Sequence, residues 1–315
     1  MSSKNVSYEK LTILVNSCDA YEDLWYPFFT LLKKYGHLDK TPIILNTESK
    51  SFAMDGLEIT CVHSPKNAQY GKRMRNALDC VETEYVLMLL DDFFLRNPLD
   101  QNKIQEMIFW MDADRDIACF NCEKMDCYVA WEKEKYPGFA RIPPGNAYAC
   151  NMQAAIWRTG KLKKYWRANI SPWEWEEYCS LLTGRFPKDK LYCRTETGSL
   201  WIDYGHYQVG DLWAVVRGKW IIEDVKPLFD KEKIEVDFFQ RGIYHPQENR
   251  ISDHARRGQH FALIARCLGA YGVSAYLAYR IKRLFQTGSL PEDADFFSYL
   301  KQRIQEDFLS QIGDT

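Results

Sequence analysis

The chain of 315 residues has no excess of either charge: 41 basic against 43 acidic side chains leave a formal net charge of −2. Nothing overall draws it to nucleic acid, the basic residues are dispersed, and no nucleic-acid motif occurs. A secretory signal is also missing, because the opening MSSKNVSYEK is polar and lacks a basic segment followed by an apolar one. No uninterrupted apolar run approaches the ~20 residues that span a bilayer, so the expectation is a cytoplasmic protein. The ten cysteines form no disulfide framework. Several, including Cys61, Cys150 and Cys267, sit inside apolar runs, as reduced buried thiols do. Cys119, Cys122 and Cys127 supply three thiols with no evident fourth ligand, short of what a structural zinc site needs. Repeats and low-complexity linkers are absent too.

What is present suits one large globular unit, since 46% hydrophobic and 15% aromatic residues are ample for a core. KLTILVNSCDAYEDLWYPFFTLLKKYG predicts a strand over 11–16, a turn at Ser17 to Asp19, and a helix closed by Gly36 as C-cap. The turn NSCDAYED lacks every glycine of the dinucleotide fingerprint, which excludes a Rossmann dehydrogenase. Further strands are predicted at 42–45 and in LEITCVH, then a basic helix over 72–81, then the strand of EYVLMLLDDFFLRNP. Strands interleaved with helices indicate an α/β doubly wound sheet. Later come a helix in NKIQEMIFWMDAD, a strand in IACFN, a strand in NAYACNMQAAIWR ending in an aromatic, a short basic helix in TGKLKKYWRANI, and a late strand and turn in LWAVVRGKW. From about residue 253 the pattern is helical to the end.

The run from Tyr85 to Leu90 is apolar on both alternating faces, as in a central strand covered on each side. It ends in Asp91 and Asp92. Burying two ionised carboxylates costs several kcal/mol each unless donors or cations meet them. The pair therefore belongs where the strand leaves the core, at the carboxyl edge where α/β sheets form ligand crevices. A ligand or metal site there competes with simple turn capping. Adjacent strand residues point to opposite faces; taken with the family resemblance described below, this favours Asp92 as metal ligand and Asp91 as a ribose or arginine partner.

Lys72, Arg73 and Arg75 begin a helix whose dipole they oppose. An anionic partner such as a diphosphate would answer them, with Arg73 the first choice and a solvated face the alternative for the others. In SPWEWEEY, Ser171 is an N-cap with Pro172 at the first helical position. Glu174, Glu176 and Glu177 follow. Acids favour helix starts in any case, but Trp173 and Trp175 between them offer faces that stack on sugar rings and walls that raise a carboxyl pKa. Glu174, ahead of Glu176, takes the role of general base that the family resemblance described below implies. His206 and Trp220 are placed on the far wall.

These motifs in this order, NSCDAYEDLW, GKRMRNAL, EYVLMLLDDFFL, MQAAIWR, SPWEWEEY and RGKW, resemble the GT-A fold nucleotide-sugar glycosyltransferases, in particular bacterial enzymes of capsular polysaccharide or lipopolysaccharide O-antigen assembly. The resemblance covers roughly residues 11 to 225. It implies a Rossmann-like mixed sheet, with a transferase domain over 1–250 (nucleotide-sugar half about 1–100, acceptor half about 101–250) and a helical extension over 251–315. It further implies a nucleotide-sugar donor, with UDP favoured, contacted by Ser17, Asp19, Asn46, Arg73 and Asp91. Mn²⁺ or Mg²⁺ would sit on Asp92 and Asp91, and a glycan or lipid-linked glycan acceptor would meet Trp173, Trp175 and His206. In LDDFF, Phe93 stands where a D-x-D motif counted from Asp91 has its second acid. A non-catalytic nucleotide-sugar or glycan-binding protein of the same fold is the alternative. In the tail, CLGAYGVSAYLAY followed by RIKRLF suggests peripheral membrane contact through Arg280, Lys282 and Arg283.

Overall fold

The computed structural model describes residues 9–38, 40–122, 135–146, 148–195, 214–245, 260–287 and 295–313. An α/β fold emerges, built on an eight-stranded mixed sheet. Its first half comprises β1 (Leu11–Asn16), β2 (Ile43–Thr47), β3 (Ile59–His63) and β4 (Tyr85–Leu90). These four are parallel, in the order β3-β2-β1-β4. Helix α1 (Glu22–Gly36) connects β1 to β2, and α2 (Tyr70–Asp79) connects β3 to β4. β1 is buried along its whole length and β4 almost so, which explains why neither alternates apolar with polar residues.

The second half adds β5 (Ile117–Asn121), β6 (Phe139–Ile142), β7 (Ala155–Arg158) and β8 (Lys190–Arg194), continuing the sheet as β4-β7-β5-β8-β6. β7 runs antiparallel to both neighbours. A separate hairpin pairs β9 (Val215–Val216) with β10 (Lys219–Trp220). Its turn residues, Arg217 and Gly218, both have positive φ, 53° and 77°, the geometry that matches a right-handed strand twist. The remaining helices are α3 (Gln101–Ala113), α4 (Thr159–Tyr165), α5 (Pro172–Glu177), α6 (Ile222–Glu232), α7 (Phe238–Arg241), α8 (His260–Thr287) and α9 (Asp295–Gly313).

Two apolar layers cover the sheet. On one face Ile13, Val15, Leu87 and Leu89 meet Phe28 of α1, Met107 of α3 and Phe229 of α6. On the other, Leu14 and Met88 meet Met74 of α2 and Trp175 of α5, together with Leu268 and Tyr276 of α8 and Leu300 of α9. The C-terminal helices thus bury their inner faces in the same layer that carries α5.

Several elements depart from expectation for local reasons. The left-handed residue closing α1 is His37 (φ 46°) rather than Gly36. The predicted strand over NAYACNMQAAIWR contracts to β7. Before it the chain folds back on itself, with Asn151 Nδ2 donating to Asn121 Oδ1 and to the Tyr148 carbonyl, each at 3.1 Å. β6 and β8 are additions to the predicted elements, too short to show a period. So is α6, which carries Pro227 inside it, a residue that reads as a helix breaker.

The count of uninterrupted apolar residues also understates α8. From Phe261 to Thr287 it is long and apolar enough to cross a membrane by length and composition alone. Its inner face, with Ile264, Cys267, Leu268, Ala275, Tyr276 and Tyr279, is nevertheless buried against the sheet layer. At Gly269 the backbone leaves helical geometry (φ 58°, ψ −148°).

Candidate active site

Parallel pairing levels the carboxyl ends of the central strands, since Asn16 lies opposite both Asn46 and Leu90. Ser17 and Asp91 therefore leave the sheet side by side. From this edge β1 leads outward to β2 while β4 leads to the opposite half, the arrangement that opens a crevice.

Asp91 is buried. The Ser17 hydroxyl donates to its carboxylate and accepts from Trp25 Nε1 at 2.6 Å. Burial, and then the neighbouring Asp92, push the Asp91 carboxyl well above the usual range, against the Ser17 hydrogen bond and the charge of Arg241. Asp92 is half-buried. Burial lifts its carboxyl to about 7, opposed by its own backbone N–H and again by Arg241. Arg241, at the end of α7, lies 4.4 Å over the Tyr21 ring, pairs with Asp23, and donates to the carbonyls of Ala20 (2.9 Å) and Gly218 (3.2 Å). Sequence reasoning missed it, because its partners lie more than twenty residues away at the least. Among the described residues no third His, Cys, Asp or Glu joins the Asp pair.

The other residues expected at the donor side are engaged in contacts within the chain. Asp19 is consumed by turn chemistry, accepting from the backbone N–H groups of Glu48 (3.2 Å), Ser49 (3.0 Å) and Lys50 (3.1 Å) and from the Ser49 hydroxyl (2.5 Å). Burial raises its pKa, but these donors outweigh it and the net shift is downward. Arg73 does not face solvent with a free charge. It is buried, ion-paired with Glu48, and donates to the Ser17 carbonyl at 2.5 Å. Lys72 and Arg75 are the exposed, solvated members of that basic cluster. Asn46 has no exposed surface; it lies beneath the crevice and donates to Asn16 Oδ1 at 3.4 Å. Asn46, expected to contact the nucleotide, reaches Asn16 and the Met74 sulfur.

Across the crevice, α5 starts with the predicted cap. Ser171 and Glu174 form a capping box, with Ser171 N–H donating to Glu174 Oε2 at 2.8 Å and Glu174 N–H to Ser171 Oγ at 3.2 Å. The other Glu174 oxygen pairs with Arg266 of α8, so the favoured base has both oxygens engaged. Glu176, two residues further on, is half-buried and accepts from Met152 N–H at 2.7 Å. Burial raises its pKa against that hydrogen bond.

Trp173 is exposed at 67%, whereas Trp175 is fully buried and stacked on Trp166 at 4.3 Å. Trp175 is therefore a core residue and presents no face to an acceptor. Trp220 is likewise buried, stacked on Phe94 at 6.1 Å, and does not line a wall. His206 lies outside the described residues, as does Cys127, while Cys119 and Cys122 are buried in the core.

The two sides are joined through the start of α2. Gly71 N–H donates to the Ile170 carbonyl at 3.0 Å, and a Cβ at Gly71 would stand 1.9 Å from the Arg167 carbonyl oxygen. Only glycine permits this approach. Beside it, the half-buried Tyr70 is raised well above the usual phenol range, first by burial and then by the charges of Asp91 and Glu176. Tyr70 packs against Arg73, which lies 5.5 Å over its ring, and against Trp166 at 5.8 Å.

No family model and no curated protein sequence matches the chain. Solved structures do resemble it. Residues 1–349 of S. aureus TarS match with 11% identity over 95% of this chain and 92% of that one, at a TM-score of 0.43. The UTP-bound UGPase from Acinetobacter baumannii matches with 10% identity over 60% of this chain and 87% of that one, at 0.38. An active-site mutant of LgtC matches with 12% identity over 56% of this chain and 70% of that one, at 0.35.

Proposed function

We propose that the chain is a nucleotide-sugar glycosyltransferase that moves a sugar from a UDP-sugar to a hydroxyl of a glycan or lipid-linked glycan, with inversion at the anomeric carbon. One arrangement carries this reading: Asp91 and Asp92 follow β4 beside Ser17, and the start of α2, which holds the Ser17 carbonyl through Arg73, is bonded through Gly71 to Ile170, just ahead of the α5 glutamates. The choice of UDP and of a bacterial capsular or lipopolysaccharide acceptor follows the sequence resemblance.

Asp91 and Asp92 are hard oxygen donors placed together, with elevated pKa values that a cation would relieve. That chemistry fits Mn²⁺ or Mg²⁺. When bound, such an ion neutralises charge on the diphosphate leaving group. Arg241 adds a fixed positive charge behind the pair. Ser17 and Trp25 hold the Asp91 carboxylate in one orientation, while the half-buried Tyr70 rests on the buried Trp166, 5.8 Å away.

Glu176 is the better base. Its carboxylate is not spent on the helix cap, and its raised pKa gives it proton affinity closer to neutrality. It takes the proton from the acceptor hydroxyl as that oxygen bonds to the anomeric carbon, and the bond from that carbon to the diphosphate oxygen breaks on the opposite side. Trp173, the exposed ring of α5, offers a stacking face for the acceptor.

The test is a panel of UDP-, GDP-, CMP- and dTDP-sugars with and without Mn²⁺, read first by thermal shift. A donor at 100 times its Kd adds about 2.7 kcal/mol of stability. Product formation with a glycan acceptor then separates a transferase from a protein that only binds; binding without turnover on any acceptor would favour the non-catalytic reading.

A further inference from the structure

We infer that the outer face of α8 docks on an anionic lipid surface. Beyond the break at Gly269, this helix leaves a row of apolar side chains in solvent: Leu277 at 51% exposure, Ile281 at 57%, Leu284 at 44% and Phe285 at 86%. Their spacing of four, three and one places them on one stripe at 100° per residue. Ala270, Ser274 and Ala278, also exposed, continue the stripe toward the break. The segment singled out in the sequence, CLGAYGVSAYLAY, mostly faces inward, since Cys267, Leu268, Ala275, Tyr276 and Tyr279 are buried. The face available for docking is displaced toward the end of the helix.

Charge identifies the occupant. The 28 residues of α8 contain no Asp or Glu, and they include Arg266, Arg280, Lys282 and Arg283. By helical rotation Arg280 and Lys282 fall on opposite flanks of the apolar stripe. Arg280 donates to the Tyr276 hydroxyl at 3.0 Å, and Lys282 lies 5.7 Å over the Tyr299 ring of α9. Asp295, at the start of α9, lines one cavity with Tyr279, Lys282 and Arg283, so among the described residues a single carboxylate stands beside the Lys282 flank. An exposed apolar stripe between cationic flanks matches an interface where acyl chains lie below anionic headgroups. The Arg266–Glu174 pair joins the other half of α8 to α5, so docking would hold the acceptor side of the crevice near the lipid surface.

The measurement is flotation of the full chain with neutral phosphatidylcholine vesicles and with vesicles containing phosphatidylglycerol, at low and high salt. No nucleotide sugar is added, so the outcome is independent of the transferase reading. Recovery with the anionic vesicles alone, weakening with salt, is expected. Lys282→Gln should weaken binding about fivefold, equivalent to about 1 kcal/mol for one cation near the surface. Ile281→Ser with Phe285→Ser should weaken it at least tenfold, with melting temperature unchanged because both side chains are exposed. Equal recovery with the two vesicle types, or undiminished binding by the Ile281/Phe285 variant, overturns the proposal. So does a concentration-dependent dimer that the same variant dissolves while wild-type protein ignores vesicles, which would make this face a contact between copies.

Discussion

Ser17 and Asp91, 74 positions apart, meet in a buried hydrogen bond, with the Ser17 hydroxyl donating to the carboxylate while it accepts from Trp25 Nε1. The bond ties the end of β1 to the end of β4. Ser17→Ala removes a donor from Asp91 and an acceptor from Trp25 at once. The expected cost is roughly 1–3 kcal/mol in urea unfolding, with weakened UDP binding in titration calorimetry. A variant as stable as wild type would show that the contact orients nothing.

Asp92 gives stability a definite pH slope. Its folded pKa of about 7 lies above the ordinary 3.8, so between those values the folded state holds a proton that the unfolded state has lost. Stability of the ligand-free protein therefore falls as pH rises from about 4 to about 7 through this group. Asp92→Asn should flatten that slope and stabilise the ligand-free chain at pH 8 by roughly 1–3 kcal/mol, while abolishing Mn²⁺-dependent UDP binding. Guanidinium unfolding at pH 5 and 8 checks the first, calorimetry the second; an unchanged slope would refute the assignment.

The two α5 glutamates separate by readout. Glu176→Gln should keep donor binding and lose transfer by ~10²-fold or more, and the raised Glu176 pKa places the acidic limb of the wild-type kcat/KM profile above the ordinary carboxylate range. Glu174→Gln disturbs the capping box and the Arg266 pair instead. It should lower stability by roughly 0.5–2 kcal/mol with turnover largely kept. The opposite pattern would return the base to Glu174.

The Arg73–Glu48 pair braces the start of α2 against the turns that follow β1 and β2. Arg73→Met leaves a half-buried Glu48 charge unpaired and should cost roughly 3–5 kcal/mol, whereas Arg73→Met with Glu48→Leu should recover most of it. Thermal denaturation of the two variants decides. If Arg73 served only a diphosphate, the single variant would melt like wild type and lose donor affinity alone.

Gly71→Ala probes how the crevice is held together. The added Cβ meets a backbone oxygen rather than a flexible side chain, so α2 must move away from the segment leading into α5. Stability should fall by at least about 2 kcal/mol, and kcat should drop more than donor affinity, since the donor acids stay in place while Glu176 shifts. A neutral substitution would mean that the two sides are not clamped here.

Sequence alone determined what depends on near neighbours. The bounds of β1 are legible residue for residue because an apolar run on both faces has few other uses, and the Ser171–Pro172–Glu174 start of α5 follows from capping chemistry within four positions. The carboxyl-edge location of Asp91 and Asp92 was legible for the same reason, since charge at the end of a buried strand must leave the core. Tertiary structure decided which of the candidate side chains remain available. Glu174, Asp19 and Arg73 carry suitable chemistry, yet Arg266, Ser49 and Glu48 occupy them, and none of those pairings leaves a mark at fixed spacing. Arg241 and Tyr70 enter the site through partners far along the chain, and Trp175 exchanges a sugar-facing role for a stack on Trp166. Local pattern reports what a residue can do, whereas long-range packing settles what it is still free to do.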